Sequence, residues 1–134
     1  MTIKDDDLIS AARNAREKAY CKYSGFSVGA AIVDEQGQVH VGCNVENAAY
    51  NLGNCAEAAA IAAMVQGGGK RIVRIAVAGG HAEIASCTPC GGCRQRINEF
   101  GNKDTVVIVI DDSNEWREYA IADLLPASFH LDIT

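Results

Sequence analysis

The stretch NCAEAAAIAAMVQ, residues 54–66, decides the fold of this chain. It is rich in alanine, Asn54 can cap it, and glycines at 67–69 follow it, so it predicts a helix with defined ends. The helix is apolar nearly all the way round, and Glu57 is its only carboxylate. A helix of this kind belongs inside a protein, between layers of structure.

Strands and helices alternate on both sides of this helix. Residues 5–19 predict a helix that Asp5–Asp7 cap, and residues 26–46 predict a β-hairpin that turns at Gly37. Downstream, the pattern predicts a strand, a second cysteine-bearing helix, a strand and a short last helix, at residues 71–80, 89–100, 105–110 and 115–125. This alternation indicates a layered α/β sandwich.

Composition and charge narrow the class of protein. A length of 134 residues with 49% hydrophobic residues fits one domain, residues 1–134, with a core of its own. The net charge of -5 leaves no basic stripe for nucleic acid, so we expect a small-molecule substrate. No apolar run is long enough to span a membrane, and the acidic start MTIKDDDLIS differs from a secretory signal. We therefore expect a cytoplasmic protein that does not bind membranes.

The cysteines are the candidate metal ligands. Their even number, 6, is compatible with disulfides or with a metal site, and the missing export signal favours metal because a reducing cytoplasm keeps thiols free. The two-residue gap between Cys90 and Cys93 lets both thiolates face one ion, and Cys55 can complete three corners of a tetrahedral zinc site. The fourth corner stays open to water, which distinguishes catalytic zinc from structural zinc.

Glu57 is the candidate proton carrier. It follows Cys55 by two residues on the first turn of the helix, so it can reach the same cavity. Burial in an apolar site predicts a raised pKa for this carboxyl, although a nearby zinc ion acts in the opposite direction. Cys-x-Glu followed by Pro-Cys-x-x-Cys resembles the signature of zinc-dependent nucleobase deaminases.

Simpler interpretations of the cysteines remain open. Taken alone, Cys90 and Cys93 are as typical of a structural zinc site or a redox pair as of a catalytic centre. Cys87 is close enough in sequence to compete as a ligand. The helix start at Pro89 favours Cys90 and Cys93 over Cys87 as the metal-binding pair.

Five separate motifs resemble the small cytidine deaminase family, over most of the chain from about Tyr23 to Phe129. They are YSGFSVGAA, GCNVENAAY, NCAE, PCGGCRQ and DLLPASF. The resemblance implies a three-layer α/β/α sandwich with a mixed central sheet of about five strands, and one zinc ion per subunit. It also implies hydrolytic deamination of cytidine and 2′-deoxycytidine in pyrimidine salvage. Family members of this size are usually homotetramers in which neighbouring subunits complete each pocket.

The resemblance assigns substrate contacts to three residues near the first strands. It implies that Phe26 packs beside the pyrimidine and that Asn44 and Glu46 hydrogen-bond the ribose hydroxyls. Without the resemblance, Phe26 is more typical of a core side chain. Asn44 and Glu46 alternate along a strand, which is ordinarily its solvated face.

The remaining implied roles lie at the two zinc segments and the C-terminus. The resemblance implies that the backbone near Ala56 and Thr88 recognises the edge of the base. It also implies that Phe129 enters the pocket of a neighbouring subunit, although this side chain can equally fill its own core. By the same resemblance, Glu57 protonates ring N3 during attack at C4 and then passes a proton to the departing ammonia.

The chain departs from the family at Ala58. Many such deaminases have an arginine here that hydrogen-bonds the zinc thiolates. Three thiolates around a divalent ion leave the site negative, which opposes deprotonation of a bound water. Helix N-termini at the cysteines and Arg94, which adjoins Cys93, are the candidate compensations. The hypothesis is that activity depends on Arg94.

Three other functions remain as alternatives. Deaminases of cytosine-bearing antibiotics of the blasticidin type also have Cys-Ala-Glu without the arginine, so such an antibiotic is the second candidate substrate. A non-catalytic module in which zinc only pins two helices together requires a fourth ligand, for which Cys87 is the only nearby candidate. Deamination of a base within RNA or DNA needs a surface for the strand, which the acidic composition does not favour.

Overall fold

The computed structural model describes residues 3–113 and 115–133. Its helices are α1 (Asp5–Arg16), α2 (Ala56–Gln66), α3 (Gly91–Glu99) and α4 (Ile121–Leu124), with a single 3-10 turn at Tyr50–Leu52 in the described chain. Its strands are β1 (Ser27–Asp34), β2 (Val39–Cys43), β3 (Ile72–Gly80), β4 (Ile84–Ala85), β5 (Val106–Ile110) and β6 (Trp116–Ala120). None of the helices in these two ranges is long and apolar enough to cross a membrane.

The strands form one mixed sheet in the order β2-β1-β3-β5-β6, and β4 pairs with the end of β3. Neighbouring strands are antiparallel except β3 and β5, which are parallel. A parallel pair requires a crossover connection, and α3 lies in the segment that joins these two strands. The sheet thus has six strands in the described chain, against the about five that the resemblance implies, and the local pattern predicted all of them except β4 and β6.

Helices cover both faces of the sheet. On β1, Ala30 and Ile32 face a core that α2 and α3 complete, whereas Ala31 and Val33 face a second core under α1. Side chains alternate between the two faces of a strand, so a strand apolar at every position contributes to both cores. This arrangement confirms the predicted three-layer α/β/α sandwich.

The β1–β2 hairpin turns where the sequence predicts. Gly37 has a φ of 79°, a left-handed conformation that glycine adopts without strain. The Oδ1 atom of Asp34 accepts hydrogen bonds from the backbone N–H groups of Gln36 (2.9 Å) and Gln38 (3.0 Å). The carboxylate therefore closes the turn from inside and sets the register of the hairpin.

Two predicted helix caps were wrong. Lys4 is the N-cap of α1, and Asp5–Asp7 occupy the first turn, where they supply favourable charge but no cap. Cys55, not Asn54, is the N-cap of α2. Asn54 is still extended because its backbone exchanges hydrogen bonds of 2.8 and 2.9 Å with Val45.

The predicted helix over residues 115–125 was also wrong in its first half. Trp116–Ala120 is strand β6, which pairs antiparallel with β5, and only Ile121–Leu124 is helical. Strand β5 otherwise presents an unpaired edge, and pairing along that edge outweighs the local helical pattern.

Candidate active site

The N-termini of two helices bring the three predicted metal ligands together. Cys55 is the N-cap of α2, Cys90 is the N-cap of α3, and Cys93 is the third residue of α3. Their Sγ atoms all lie within 4.8 Å of one another. Free N–H groups and the partial positive charge at the start of each helix favour thiolates at these positions.

The three sulfur atoms fit a tetrahedral zinc ion. A Zn–S bond of about 2.3 Å places neighbouring sulfurs about 3.8 Å apart, which the cluster can adopt. Within residues 3–113 and 115–133, this metal-binding group comprises only Cys55, Cys90 and Cys93. Three protein ligands leave one corner for water or substrate, as in catalytic zinc sites.

Glu57 lies beside this cluster. It is the second residue of α2 and is 5% exposed. Burial raises the pKa of its carboxyl, and the hydrogen bond of its own backbone N–H, the Cys93 side chain and the charge of Arg96 oppose this rise only in part. Burial therefore acts in the direction that the sequence predicts, and a raised pKa suits the expected role of Glu57 as a proton carrier.

The thiols are also shifted by their surroundings. Burial, followed by the charge of Glu57, raises the pKa of Cys93, and burial is likewise the main cause of the raised pKa of Cys55. Burial raises the pKa of Cys87 to about 11. Metal binding by Cys55 and Cys93 therefore has to displace protons.

A small cavity of about 150 Å³ opens onto the cluster. Three of the predicted substrate-binding residues line it, and so do two residues that the sequence did not indicate as substrate contacts. The lining comprises Asn44, Ala56 and Thr88, then Val28 and Cys87, together with Glu57 and the three cysteines of the cluster. The predicted base-reading backbone thus borders the predicted metal.

Close packing of α2 on strand β2 holds Cys55 and Glu57 in place. A Cβ atom at Gly42 would lie 2.4 Å from the backbone N of Ala60 and 2.7 Å from the backbone O of Ala56. Only glycine permits this approach, and the paired backbones of Val45 and Asn54 anchor the segment that precedes the helix. The start of α2 is therefore fixed relative to the sheet.

The segment before α3 is fixed by Arg94. Its guanidinium donates hydrogen bonds to the carbonyl oxygens of Pro89 (2.7 Å) and Leu124 (2.9 Å) and to Oγ1 of Thr88 (3.3 Å). These bonds connect the cysteine-bearing turn to α4. Arg94 is thus placed to support the cavity wall, whereas the predicted dependence of activity on its charge stays a prediction.

Asn44 and Glu46 lie on the segment that links β2 to α2. The Asn44 side chain donates to the carbonyl oxygen of Phe26 and accepts from the backbone N–H of Val28, each at 2.8 Å. The Glu46 carboxylate accepts from the backbone N–H groups of Tyr23 (3.0 Å) and Ser24 (3.1 Å) and from the Ser24 hydroxyl. Both side chains therefore also hold the loop that precedes β1.

The structure separates the predicted sugar-binding pair. Asn44 lines the cavity at the cysteines, whereas Glu46 lines a second depression of about 360 Å³ together with Tyr23, Ser24, Asn47, Tyr50 and Gly53. Phe26 lines neither cavity and packs edge-on against His81 at 5.1 Å between ring centroids. The ribose and pyrimidine contacts of these residues stay predictions.

Comparison with known proteins identifies the family. The family model for the cytidine and deoxycytidylate deaminase zinc-binding region matches residues 2–109. This chain belongs to the cytidine and deoxycytidylate deaminase family. A cytidine deaminase of Sporosarcina psychrophila is 40% identical over 92% of this chain and 90% of its own length. A cytidine deaminase of Mycobacterium tuberculosis is 40% identical over 90% of this chain and 86% of its own length.

Solved structures in the same deaminase family share the fold. The cytidine deaminase of Burkholderia pseudomallei has a TM-score of 0.87 and 42% identity, and covers 95% of this chain and 100% of its own. That of Mycobacterium tuberculosis has a TM-score of 0.83 and 37% identity, and covers 96% and 99% respectively. These likenesses confirm the predicted family and the predicted α/β architecture.

One charged residue at the deaminase site was missed by sequence reasoning. Arg96 places its Nη1 atom 3.7 Å from Sγ of Cys93. The compensating charge was expected from Arg94, because that residue adjoins Cys93 in sequence. Residues three apart on a helix share a face and adjacent residues do not, so the helical spacing of Arg96 was the signal that could have found it.

Proposed function

We propose that this chain hydrolyses cytidine and 2′-deoxycytidine to uridine and 2′-deoxyuridine with release of ammonia. The observation that carries this proposal is the placement of Glu57, a buried carboxyl beside three thiols that leave one tetrahedral corner open. A structural zinc site needs neither an open corner nor a buried proton carrier. The named relatives of this chain are cytidine deaminases.

We propose Cys55, Cys90 and Cys93 as the ligands of one zinc ion per subunit. When bound, zinc supplies the activation of water for attack at C4 of the base. Glu57 would then carry the protons: its carboxylate would accept one from water and deliver it to ring N3. It would next take a second proton from the hydroxyl newly formed at C4 and deliver it to the amino group, which leaves as ammonia when the C4–N bond breaks. Because burial raises the pKa of Glu57, the protonated carboxyl that forms during this proton transfer costs less free energy.

Substrate recognition is proposed for the groups around the cavity. The backbone at Ala56 and Thr88 borders the space beside the thiols, where the edge of a cytosine ring has to lie. Asn44 and Glu46 would hydrogen-bond the ribose. They would do so with the donor and acceptor sites that their contacts with the loop leave unused. Phe26 would pack against the pyrimidine.

We propose that the active form is a homotetramer. Exposed apolar side chains support this, among them Tyr50 (82% exposed), Phe129 (70%) and Ile133 (83%). Association would remove such apolar groups from water. Phe129 would then enter a neighbouring subunit's pocket. Light scattering after size-exclusion chromatography should give four times the chain mass of 14.2 kDa, and a monomeric mass with full activity would refute the shared pocket.

We propose a cytoplasmic role in pyrimidine salvage, in one domain over residues 1–134. The six cysteines have free thiols, as a reducing compartment maintains. Cell fractionation against a cytosolic marker tests the location.

A substrate panel tests the proposed reaction. We expect ammonia release from cytidine and 2′-deoxycytidine, but not from free cytosine, and loss of turnover when a zinc chelator strips the metal. Turnover of blasticidin S alone would assign the chain to the antibiotic deaminases instead. Bound zinc without turnover of any of these compounds would indicate the structural zinc module.

A further inference from the structure

Arg96 is a positively charged side chain in contact with the thiol cluster. It follows Cys93 by three residues on α3, so both side chains share one helix face. Its guanidinium contacts Sγ of Cys93 at 3.7 Å, within the range of a hydrogen bond to sulfur. An arginine stays charged at every pH at which a protein is folded, so this contact is always that of a cation.

We propose that Arg96 is a positioning residue that orients the Cys93 thiolate and offsets the negative charge of the metal site. The inference rests on the zinc ligands proposed above. It concerns the strength of metal binding and the electronic state of one ligand, and it assigns Arg96 no contact with the substrate.

The charge balance of the site favours such a cation. Three thiolates around a divalent ion carry a net charge of about minus one before Glu57 is counted. Cys93 is 0% exposed, so water cannot solvate its share of that charge. A buried charge without a partner is costly, and hydrogen bonds from the groups around metal ligands commonly set their orientation and basicity.

The neighbourhood of Arg96 shows why this residue and not another has the role. Ala58, on α2, lines the same surface depression as Arg96, and its side chain ends at Cβ, so it leaves space beside the guanidinium. Arg94 is already hydrogen-bonded to two carbonyl oxygens and a hydroxyl. The cation therefore comes from α3, across from the alanine on α2.

Metal affinity measures the proposed role directly. Purified full-length protein is loaded with zinc or cobalt, and affinity is determined by competition with a chelator. We expect Arg96→Ala and Arg96→Gln to bind zinc about 10- to 100-fold more weakly than wild type, the usual effect of removing a partner of a metal ligand. Arg71→Ala, which removes an exposed arginine just before β3, is the matched control and should bind as wild type.

The cobalt spectrum separates an electronic role from a packing role. Loss of a hydrogen bond to Cys93 makes its sulfur more electron-rich, so the thiolate-to-cobalt charge-transfer band should move to longer wavelength in Arg96→Ala. Arg96→Lys should recover part of the affinity as a point charge. Ala58→Arg combined with Arg96→Ala should recover affinity by supplying the cation from α2.

Two outcomes would overturn the assignment. If the zinc affinity and the cobalt band are unchanged in Arg96→Ala and Arg96→Gln, the contact has no effect on the metal. If zinc binding is weakened and neither Arg96→Lys nor the Ala58→Arg double variant restores it, Arg96 acts only by packing. If wild-type protein binds neither metal, the proposed zinc function itself fails, which is distinct from both results.

Discussion

Glu57→Gln lowers kcat for cytidine by about 10²- to 10⁴-fold and leaves zinc content at one per chain, because it removes proton transfer and little else. The amide has nearly the shape of the carboxyl, so the cavity keeps its form. Steady-state kinetics with cytidine, together with metal analysis of the same sample, measure both parts of this result. Substrate binding should change far less than kcat, since the loss falls on the chemical step.

Thermal stability provides an independent check on the same variant. Burial raises the pKa of Glu57, so the ionised carboxyl is disfavoured at this position. A neutral amide does not incur that cost, and the melting temperature of Glu57→Gln should equal or exceed that of wild type. Glu17→Gln, at an exposed glutamate after α1, is the matched control and should keep normal kcat. Normal turnover by Glu57→Gln would overturn its assignment as proton carrier.

Cys93→Ser abolishes both zinc binding and activity. A serine hydroxyl stays protonated near neutral pH and is a poor zinc ligand, so two cysteines alone have to hold the ion. Cys93 is fully buried, its sulfur lies close to that of Cys55 at the start of α2, and a bound metal stabilises the folded state by mass action. We expect metal analysis to find little zinc, and the melting temperature to lose its dependence on added zinc.

Cys87→Ser is the matched control for this loss. Cys87 lines the same cavity, but its sulfur lies outside the three-cysteine cluster. A thiol outside that cluster is not placed to complete the tetrahedral site. This variant should therefore keep its zinc. Loss of zinc from Cys87→Ser would point to a closed four-cysteine site and to a structural role for the metal.

The helices and most strands could be predicted from local pattern. The alanine-rich run before Gly67 predicts α2, and alternating faces predict the hairpin around Gly37. The prediction failed where pairing with residues distant in sequence decides the secondary structure of a segment. Residues 116–120 have a helical pattern, yet they form β6 because β5 presents an edge to them. Asn54 is a good cap in isolation, yet its backbone is held extended by Val45.

The site, like the fold, was predicted from sequence only in part. Motif spacing was sufficient to predict that Cys55, Cys90 and Cys93 would meet, because each lies in the first turn or at the cap of a helix whose start is marked in the sequence. Adjacency in sequence favours Arg94 as the compensating charge, which stays a prediction, whereas helical spacing favours Arg96. The helical turn carries Arg94 toward α4 and Arg96 toward Cys93.

The sequence by itself determined the family, the α/β class, the candidate zinc ligands and the buried carboxyl, because these depend on residue type and on spacing within single helices. Only the tertiary structure decided which cation contacts a thiolate, how Asn44 and Glu46 are divided between two cavities, and where β6 pairs. These features depend on contacts between segments that are far apart in the chain. At such contacts, packing and not local propensity decides where a side chain points and which strands pair.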